Sequence, residues 1–374
     1  MLQPQTLNQP LDVNGSFDVA ASQFNHCSSV CSFNDGVMVT WYSGFGECLD
    51  DQSVHCIFID KYGMSGILRL GDKTGNPITW KHDGKTFLLW SYFEDTGDIA
   101  NPVNRWKYCS LWIQEYCVEL SNGANNKYNI KLLGKPERLS SPEEGLLARC
   151  NPIIVDDEVM LPLYHETERY GVIMKGKGTS FKTIGKIQSQ SDDNKHDASL
   201  IQPTLWERDG IIHSLSRDFS PHAALNKAKY SYSEDSGETW SDPLPTAIHN
   251  RNNSIHVVKY GSEDYVLWND SPHGRDNLTL GILLPNFSEN LSRDAKRSQF
   301  GLEIEPIMVV DRVYGSYPSI ATHGDDLCFS YTTDRRTISY NLWSKEYVER
   351  QKQSAIGRRN SFRRPVRRRS AKNT

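Results

Sequence analysis

Six stretches of this chain begin alike and turn alike. "HCSSVCSFNDGVMVTWYSG" starts at His26, "NPITWKHDGKTFLLWSYF" at Asn76 and "NPIIVDDEVMLPLYHE" at Asn151. "QPTLWERDGIIHSLSRD" starts at Gln202, "SIHVVKYGSEDYVLWND" at Ser254 and "YPSIATHGDDLCFSYTTD" at Tyr317. Each is a short apolar run, a polar turn rich in Gly or Asp, and a second alternating run; four of the six open on x-Pro. Turn pairs such as Asp83-Gly84 and Asp209-Gly210 accept positive φ, which the tight turns of hairpins demand. The units start 50–75 residues apart, which leaves room for further strands, and "QSVHCIFIDK", "KYCSLWIQEY" and "NLTLGILL" fill that room. Four strands per unit and six units predict an all-β, six-bladed β-propeller. A lone blade cannot bury both of its faces, and a closed ring of blades can. Helical periodicity is poor throughout, because the apolar stretches are short, β-rich and cut by Gly, Pro and Asn. A pair of β-sandwiches is the other all-β solution, but it gives six matched hairpins no reason to exist. The predicted propeller spans 20–350, with 1–19 as an N-terminal extension and 351–374 as a basic, disordered tail.

Composition narrows the function classes. No apolar run approaches a membrane span. The polar start "MLQPQTLNQPLDVNGSF" lacks the basic end and apolar centre of a secretory signal, so a cytoplasmic or virion-associated location is expected. The eight cysteines form no CxxC pair and fit no zinc spacing; reduced, buried thiols are expected. The sequons at Asn14, Asn252, Asn277, Asn286 and Asn290 therefore carry little weight. "HETER" lacks the second His of a zinc-protease helix, and no phosphate-binding Gly loop opens a helix, so no cofactor or metal is expected. From Arg358 onward the chain carries seven Arg, one Lys and no acid, against a whole-chain charge of −4. An acidic body thus bears a basic arm, expected to touch a polyanion or an assembly partner.

Between the fourth and fifth units lies "SEDSGETW", Ser233–Trp240, which matches S-x-D-x-G-x-T-W. In this Asp-box an Asp caps its own tight turn, Gly takes positive φ and Trp packs under the hairpin. It reads as a structural staple. A degenerate copy, "MKGKGTSF", ends in Gly178, Ser180 and Phe181. With the six hairpins, the box makes residues of about 20–345 resemble the sialidase-like (BNR/Asp-box) propellers.

That resemblance implies an axial pocket for an acidic sugar. Its pattern has three arginines around a carboxylate, a Tyr nucleophile paired with Glu, and an Asp acid/base. Guanidinium forks suit a carboxylate because both oxygens are met at once, and sialidases use Tyr where most glycosidases use a carboxylate nucleophile. Carried over residue by residue, Arg217 in "HSLSRD" and Arg275 in "SPHGRDNLTLGI" stand as the second and third arginines. Tyr317 in "YGSYPSI" stands as the nucleophile. Asp51 or Asp50 is similar to the acid/base, with Glu47 in competition. Two positions depart from the pattern: His26 replaces the first arginine, and the paired Glu falls near Ile201 or Gln202, neither of them acidic. His26 as a cation would favour anions below a pKa near 6.5. Gln202 and Asn151, beside prolines, are candidate donors to sugar hydroxyls. The aromatic strand ends Trp41–Tyr42, Trp90–Tyr92 and Tyr164–His165–Glu166 are a candidate sugar platform. Each choice has a plainer reading: blade-to-blade ion pairs for the arginines, packing for Tyr317, a solvated turn for Asp50 and Asp51, a core histidine for His26. Two functions follow. One is a glycan-cleaving enzyme, a glycoside hydrolase acting on an acidic or polar terminal sugar. The other is a non-catalytic carbohydrate-binding or structural propeller.

Overall fold

The computed structural model describes residues 13–18, 24–33, 36–94, 102–121, 128–141, 143–189, 199–219, 227–285 and 302–362. They form six antiparallel sheets arranged as the blades of a propeller.

Blade I holds β2 (Phe24–Phe33), β3 (Gly36–Gly44) and β4 (Ser53–Asp60), with short outer strands β5 (Gly63–Met64) and β6 (Leu68–Asp72). Blade II holds β7 (Thr74–His82), β8 (Lys85–Phe93), β9 (Cys109–Leu120) and β10 (Tyr128–Arg138). In blade III the inner edge is split into β11 (Leu146–Ala148) and β12 (Ile153–Val155), both paired to β13 (Glu158–His165); β14 (Tyr170–Lys177) and β15 (Ser180–Ile187) lie outside. Blade IV runs β16 (Leu200–Arg208), β17 (Ile211–Asp218), β18 (Lys227–Ser233), β19 (Leu244–His249). Blade V runs β20 (His256–Tyr260), β21 (Glu263–Asn269), β22 (Leu278–Pro285), β23 (Leu302–Asp311). Blade VI runs β24 (Gly315–His323), β25 (Asp326–Thr333), β26 (Thr337–Trp343) and is completed by β1 (Val13–Asp18).

The two chain ends depart from the sequence expectation. Residues 13–18, assigned to an extension, are the outer strand of blade VI, with Val13 opposite Leu342 and Asp18 opposite Thr337. The tail begins as a helix, α1 (Lys345–Phe362). The Ser344 hydroxyl accepts the Tyr347 N–H as an N-cap. Val348 is buried with Trp343, and Lys352 pairs with Glu263 of blade V at 2.6 Å. The last basic run, 363–374, lies outside the described residues.

The hairpin turns explain the repeat. Asp83 and Gly84 have φ of 49° and 72°, and Asp209 and Gly210 have 55° and 77°. Asp156 and Asp157 do the same work at 54° and 59°. The turn of the first hairpin lies outside the described residues.

The apolar core is shared between blades. Ile78, Trp80 and Leu89 of blade II pack with Leu161, Met174 and Phe181 of blade III. Met160, Ile173 and Ile187 of blade III pack with Leu205, Ile212 and Trp240 of blade IV. Similar clusters join blades I and II, IV and V, V and VI, and VI and I. Each blade is therefore stabilised by its neighbours, as a ring of incomplete units requires.

The Asp-box turn is one such staple. Asp235 accepts from the Ser233 and Thr239 hydroxyls and from Thr239 N, the last at 2.8 Å. Ser236 and Gly237 have φ of 59° and 95°, and Trp240 donates from Nε1 to the Gly237 carbonyl at 3.0 Å. The turn lies against blade III: a Cβ on Gly185 would meet the Gly237 oxygen at 2.1 Å, so only glycine admits it. Removing the Trp240 side chain from that interface should cost about 3–5 kcal/mol, the usual range for a buried aromatic. Phe181, from the degenerate copy, fills the II–III interface edge-on to Trp80. All eight cysteines are free; seven are buried and Cys117 is half-buried.

Candidate functional site

Four of the inner strands break register near their starts, at His26/Ser29, Gly75/Ile78, Ile201/Thr204 and Ser316/Ser319. The bulged residues Cys27, Asn76, Gln202 and Tyr317 have φ of 56°, 45°, 56° and 52°. A bulge releases one residue from the ladder and re-aims its side chain, and the following position needs no ladder N–H. Proline therefore fits there, as Pro77, Pro203 and Pro318 do. This is the physical meaning of the x-Pro openings, and it turns Asn76, Gln202 and Tyr317 toward one another at the axis.

Their contacts define a pocket floor. The Tyr317 oxygen accepts from Arg217 Nη1 at 3.1 Å and from Gln202 Nε2 at 3.4 Å. Gln202 also reaches the Tyr164 oxygen at 3.4 Å, as does Asn76 Nδ2. The Tyr317 N–H is anchored by Asn253 Oδ1 at 3.2 Å.

Two guanidinia are set by one residue. Asn252, at φ 54°, accepts on Oδ1 from Arg217 Nε at 2.9 Å and from Arg217 Nη2. Its carbonyl accepts from Arg275 Nη2 at 2.9 Å. Arg275 stacks over the Tyr317 ring at 5.1 Å, and its Nη1 is buried with no hydrogen-bond partner. Neither arginine forms an ion pair among the described residues, so the reading of blade-to-blade ion pairs does not hold.

His26 lies against Tyr317, ring centroids 4.1 Å apart, with both ring nitrogens buried and unpartnered. Burial, then Arg275, Arg335, Arg149 and Arg217, hold its pKa well below the usual histidine value. It is thus a neutral ring in a cationic surround. The expectation of a cationic His26 in the arginine position is corrected by this burial. Arg335 comes closer to that role. Its turn is docked by Asn25, whose N–H donates to the Arg335 carbonyl at 2.9 Å, and its side chain faces Glu47 at 3.6 Å and the Phe24 ring at 5.6 Å. Arg149 lies 5.2 Å from the Tyr317 ring but is fully used. It donates to Ser254 Oγ at 3.1 Å, Ser28 O at 2.9 Å and Pro318 O at 2.8 Å, which ties four blades together at the axis.

The remaining sequence candidates separate. Glu47 accepts from the Tyr42 hydroxyl at 3.2 Å and belongs to the pocket wall with Arg335. Asp51 is taken up by its own loop, accepting from Phe45 N at 2.7 Å. Asp50 is exposed and paired to Arg105 at 2.6 Å. Asn151 is not free for a sugar: Ser29 donates to its Oδ1 at 2.7 Å and its amide donates to the Val30 carbonyl. It lines a separate hollow of about 540 Å³ around the far ends of the inner strands, with Trp80, Trp206 and Ile320. Trp41, Tyr42 and Trp90 are core residues, whereas Tyr164 underlies the pocket. Burial pushes the Glu166 carboxyl up; Arg217 and Arg169 oppose this and Glu47 reinforces it. Sequence reasoning missed Asn76, Asn252, Arg149 and Arg335. Asn76-Pro77 occupies the same repeat position as Gln202-Pro203 and Tyr317-Pro318, a signal that could have found the first.

The axial arginines over a bulged tyrosine, on six blades stapled by an Asp-box, define a propeller of the sialidase-like class. The BNR repeat-like domain family matches residues 64–328, and the chain belongs to that family. Solved structures agree on the fold. Trypanosoma rangeli sialidase in complex with sialic acid is 13% identical with a TM-score of 0.60, covering 94% of this chain and 60% of that one. The NanB sialidase from Streptococcus pneumoniae is 12% identical with a TM-score of 0.56, covering 90% and 70%. A Dyadobacter fermentans protein of unknown function is 8% identical with a TM-score of 0.59, covering 90% and 99%. The chain thus spans less than two thirds of the trypanosomal sialidase, and at these identities the likeness is one of fold. Among the curated proteins, none matches the sequence.

Proposed function

We propose that the axial pocket binds an acidic terminal sugar and hydrolyses its glycosidic bond. The observation that carries this reading is the convergence of Arg217 and Arg275 on Tyr317, with Arg275 Nη1 buried and unpartnered. A buried donor without an acceptor is costly, and a ligand carboxylate removes that cost. Arg335 adds a third guanidinium at the pocket wall. Tyr317 then lies beneath the anomeric carbon as the nucleophile. Neutral, buried His26 backs the Tyr317 ring from within the fold.

A non-catalytic reading has one specific support. Gln202, an amide, meets the Tyr317 hydroxyl where the family pattern has a carboxylate. An amide cannot take the tyrosine proton. The test is turnover of nitrophenyl glycosides of N-acetylneuraminic acid and glucuronic acid, alongside binding of the free sugars by calorimetry. Turnover supports the enzyme. Binding without turnover leaves the lectin-like reading, and neither effect removes both.

A further inference from the structure

Arg217 and Arg275 are each followed in the chain by an aspartate, yet neither aspartate bonds its arginine. Asp218 pairs instead with Lys229 at 3.7 Å, and Asp276 Oδ2 accepts from Asn277 Nδ2 at 3.5 Å. Among the described residues the two guanidinia meet no carboxylate oxygen. Arg217 donates to Asn252 Oδ1, the Gln202 amide oxygen and the Tyr317 hydroxyl, and Arg275 donates to the Asn252 carbonyl. Asn252 therefore serves both arginines. Its backbone narrows the residue type: φ is 54°, a region that Gly, Asn and Asp enter most readily. Gly has no side-chain acceptor and Asp has a charged one. Of the three, Asn alone accepts from a guanidinium without cancelling its charge. Neighbouring amides pin the same stretch. Asn250 Nδ2 donates to the Asn253 carbonyl at 2.6 Å, Asn253 Nδ2 donates to Asn269 Oδ1, and Asn253 Oδ1 accepts the Tyr317 N–H at 3.2 Å. Residues 250–253 thus set the aim of both guanidinia and the place of Tyr317.

We propose, resting on the acidic-sugar reading of this pocket, that Asn252 is a positioning residue that determines charge specificity. Its uncharged amide and carbonyl aim Arg217 and Arg275 while leaving both positive charges for the ligand, so the pocket selects an anionic sugar over its neutral counterpart. A carboxylate at this position would keep the geometry and spoil the selection. It would pair with Arg217 through the Nε and Nη2 edge that Asn252 now occupies, and the ligand would meet a clamp already partly neutralised. The neutral acceptor orients the fork, and the charge of the fork remains unspent until the ligand arrives.

The experiment titrates wild type, Asn252→Asp and Asn252→Gly by calorimetry with N-acetylneuraminic acid and glucuronic acid, and with the methyl ester of each. Both replacements suit the positive φ, so thermal melts of both variants should stay near wild type. Wild type should prefer each acid to its ester. Asn252→Asp, nearly isosteric and still able to accept from Arg217, should bind the acids roughly 10–100-fold more weakly, with ester affinity little changed. Asn252→Gly removes the orienting oxygen but adds no charge, and it should lose less than Asn252→Asp. A purely structural role gives the reverse order, because the aspartate keeps the hydrogen bonds that the glycine deletes. Glycine losing as much as aspartate, or aspartate losing acid and ester alike, overturns the role of Asn252 and leaves the acidic-sugar reading standing. A melt of Asn252→Asp far below wild type overturns that role as well, since the carboxylate should tighten the bond to Arg217. A wild type that binds neither acid, or binds acid and ester equally, overturns the acidic-sugar reading and this inference with it.

Discussion

Arg217 Nη1 donates to the Tyr317 hydroxyl and to the Gln202 amide oxygen, each across 3.1 Å. One guanidinium therefore orients two residues of the axial cluster at once. Arg217, Gln202 and Tyr317 come from two blades that are not neighbours, so the axis works as a single polar unit.

Tyr317→Phe removes the oxygen that Arg217 and Gln202 both meet. Turnover of nitrophenyl glycosides should be lost while affinity for the free acidic sugar stays near wild type, because the carboxylate clamp remains. Steady-state kinetics with calorimetry check this, and full turnover by the variant rejects the nucleophile.

Arg275→Ala should weaken acidic-sugar binding by about 1.5–3 kcal/mol, the worth of a charge-assisted hydrogen bond. Arg275→Lys should recover only part, since an ammonium lacks the planar fork. Unchanged affinity in the alanine variant, measured by titration calorimetry, removes the clamp.

Asp235→Ala should lower stability by about 1–3 kcal/mol through lost turn hydrogen bonds, with ligand affinity unchanged. The acid dependence should change as well. Desolvation raises the Asp235 carboxyl, but the Thr239 and Ser233 hydrogen bonds win and hold it below its usual value. A depressed carboxylate gives stability that is present above the unfolded pKa and lost as pH falls through the folded one. Urea melts on acidification should therefore show a steeper acid loss in wild type than in the variant.

Four buried histidines should make the fold acid-sensitive above the carboxylate range. Burial lowers His55 and His213 to about 4 and His256 to about 3, and places His26 well below its usual value. Each is neutral when folded and takes a proton when unfolded. Stability is full above about pH 6.5 and falls as pH drops toward the folded values, by about 1.4 kcal/mol per pH unit per histidine. Unfolding free energies at pH 7.5 and pH 5 should differ accordingly, and His213→Phe should flatten the slope. An equal slope in that variant removes His213 from the account.

Much of the fold was legible because its signals are local. Asp83-Gly84 and Asp209-Gly210 announce hairpins by backbone sterics alone. The Asp-box announces its turn by the spacing of Asp235, Gly237 and Trp240. In the site, Tyr317 and Gln202 were legible through the repeat, and Arg217 and Arg275 through the family resemblance. Asn252 and Arg335 sit in loops and turns with no period to mark them, and each acts through a partner from another blade. His26 carried a sequence position but not its burial, and burial decides its charge. Asp51 caps its own loop through Phe45 N, and in sequence a turn-capping aspartate and a catalytic one are written alike. The strand β1 was passed over because "VNGSFD" has no apolar alternation, and its place is set by β26, far along the chain.

That closure has a consequence for the order of biosynthesis. The strand β1 leaves the ribosome before the other described strands, yet its partner β26 leaves after all of them. Until β26 emerges, β1 stays an unsatisfied edge, and the first five sheets must wait for a ring that nothing yet seals. Edges of that kind invite pairing with other chains. Tags or fusions placed directly ahead of Val13 should therefore burden yield far more than they burden the finished molecule.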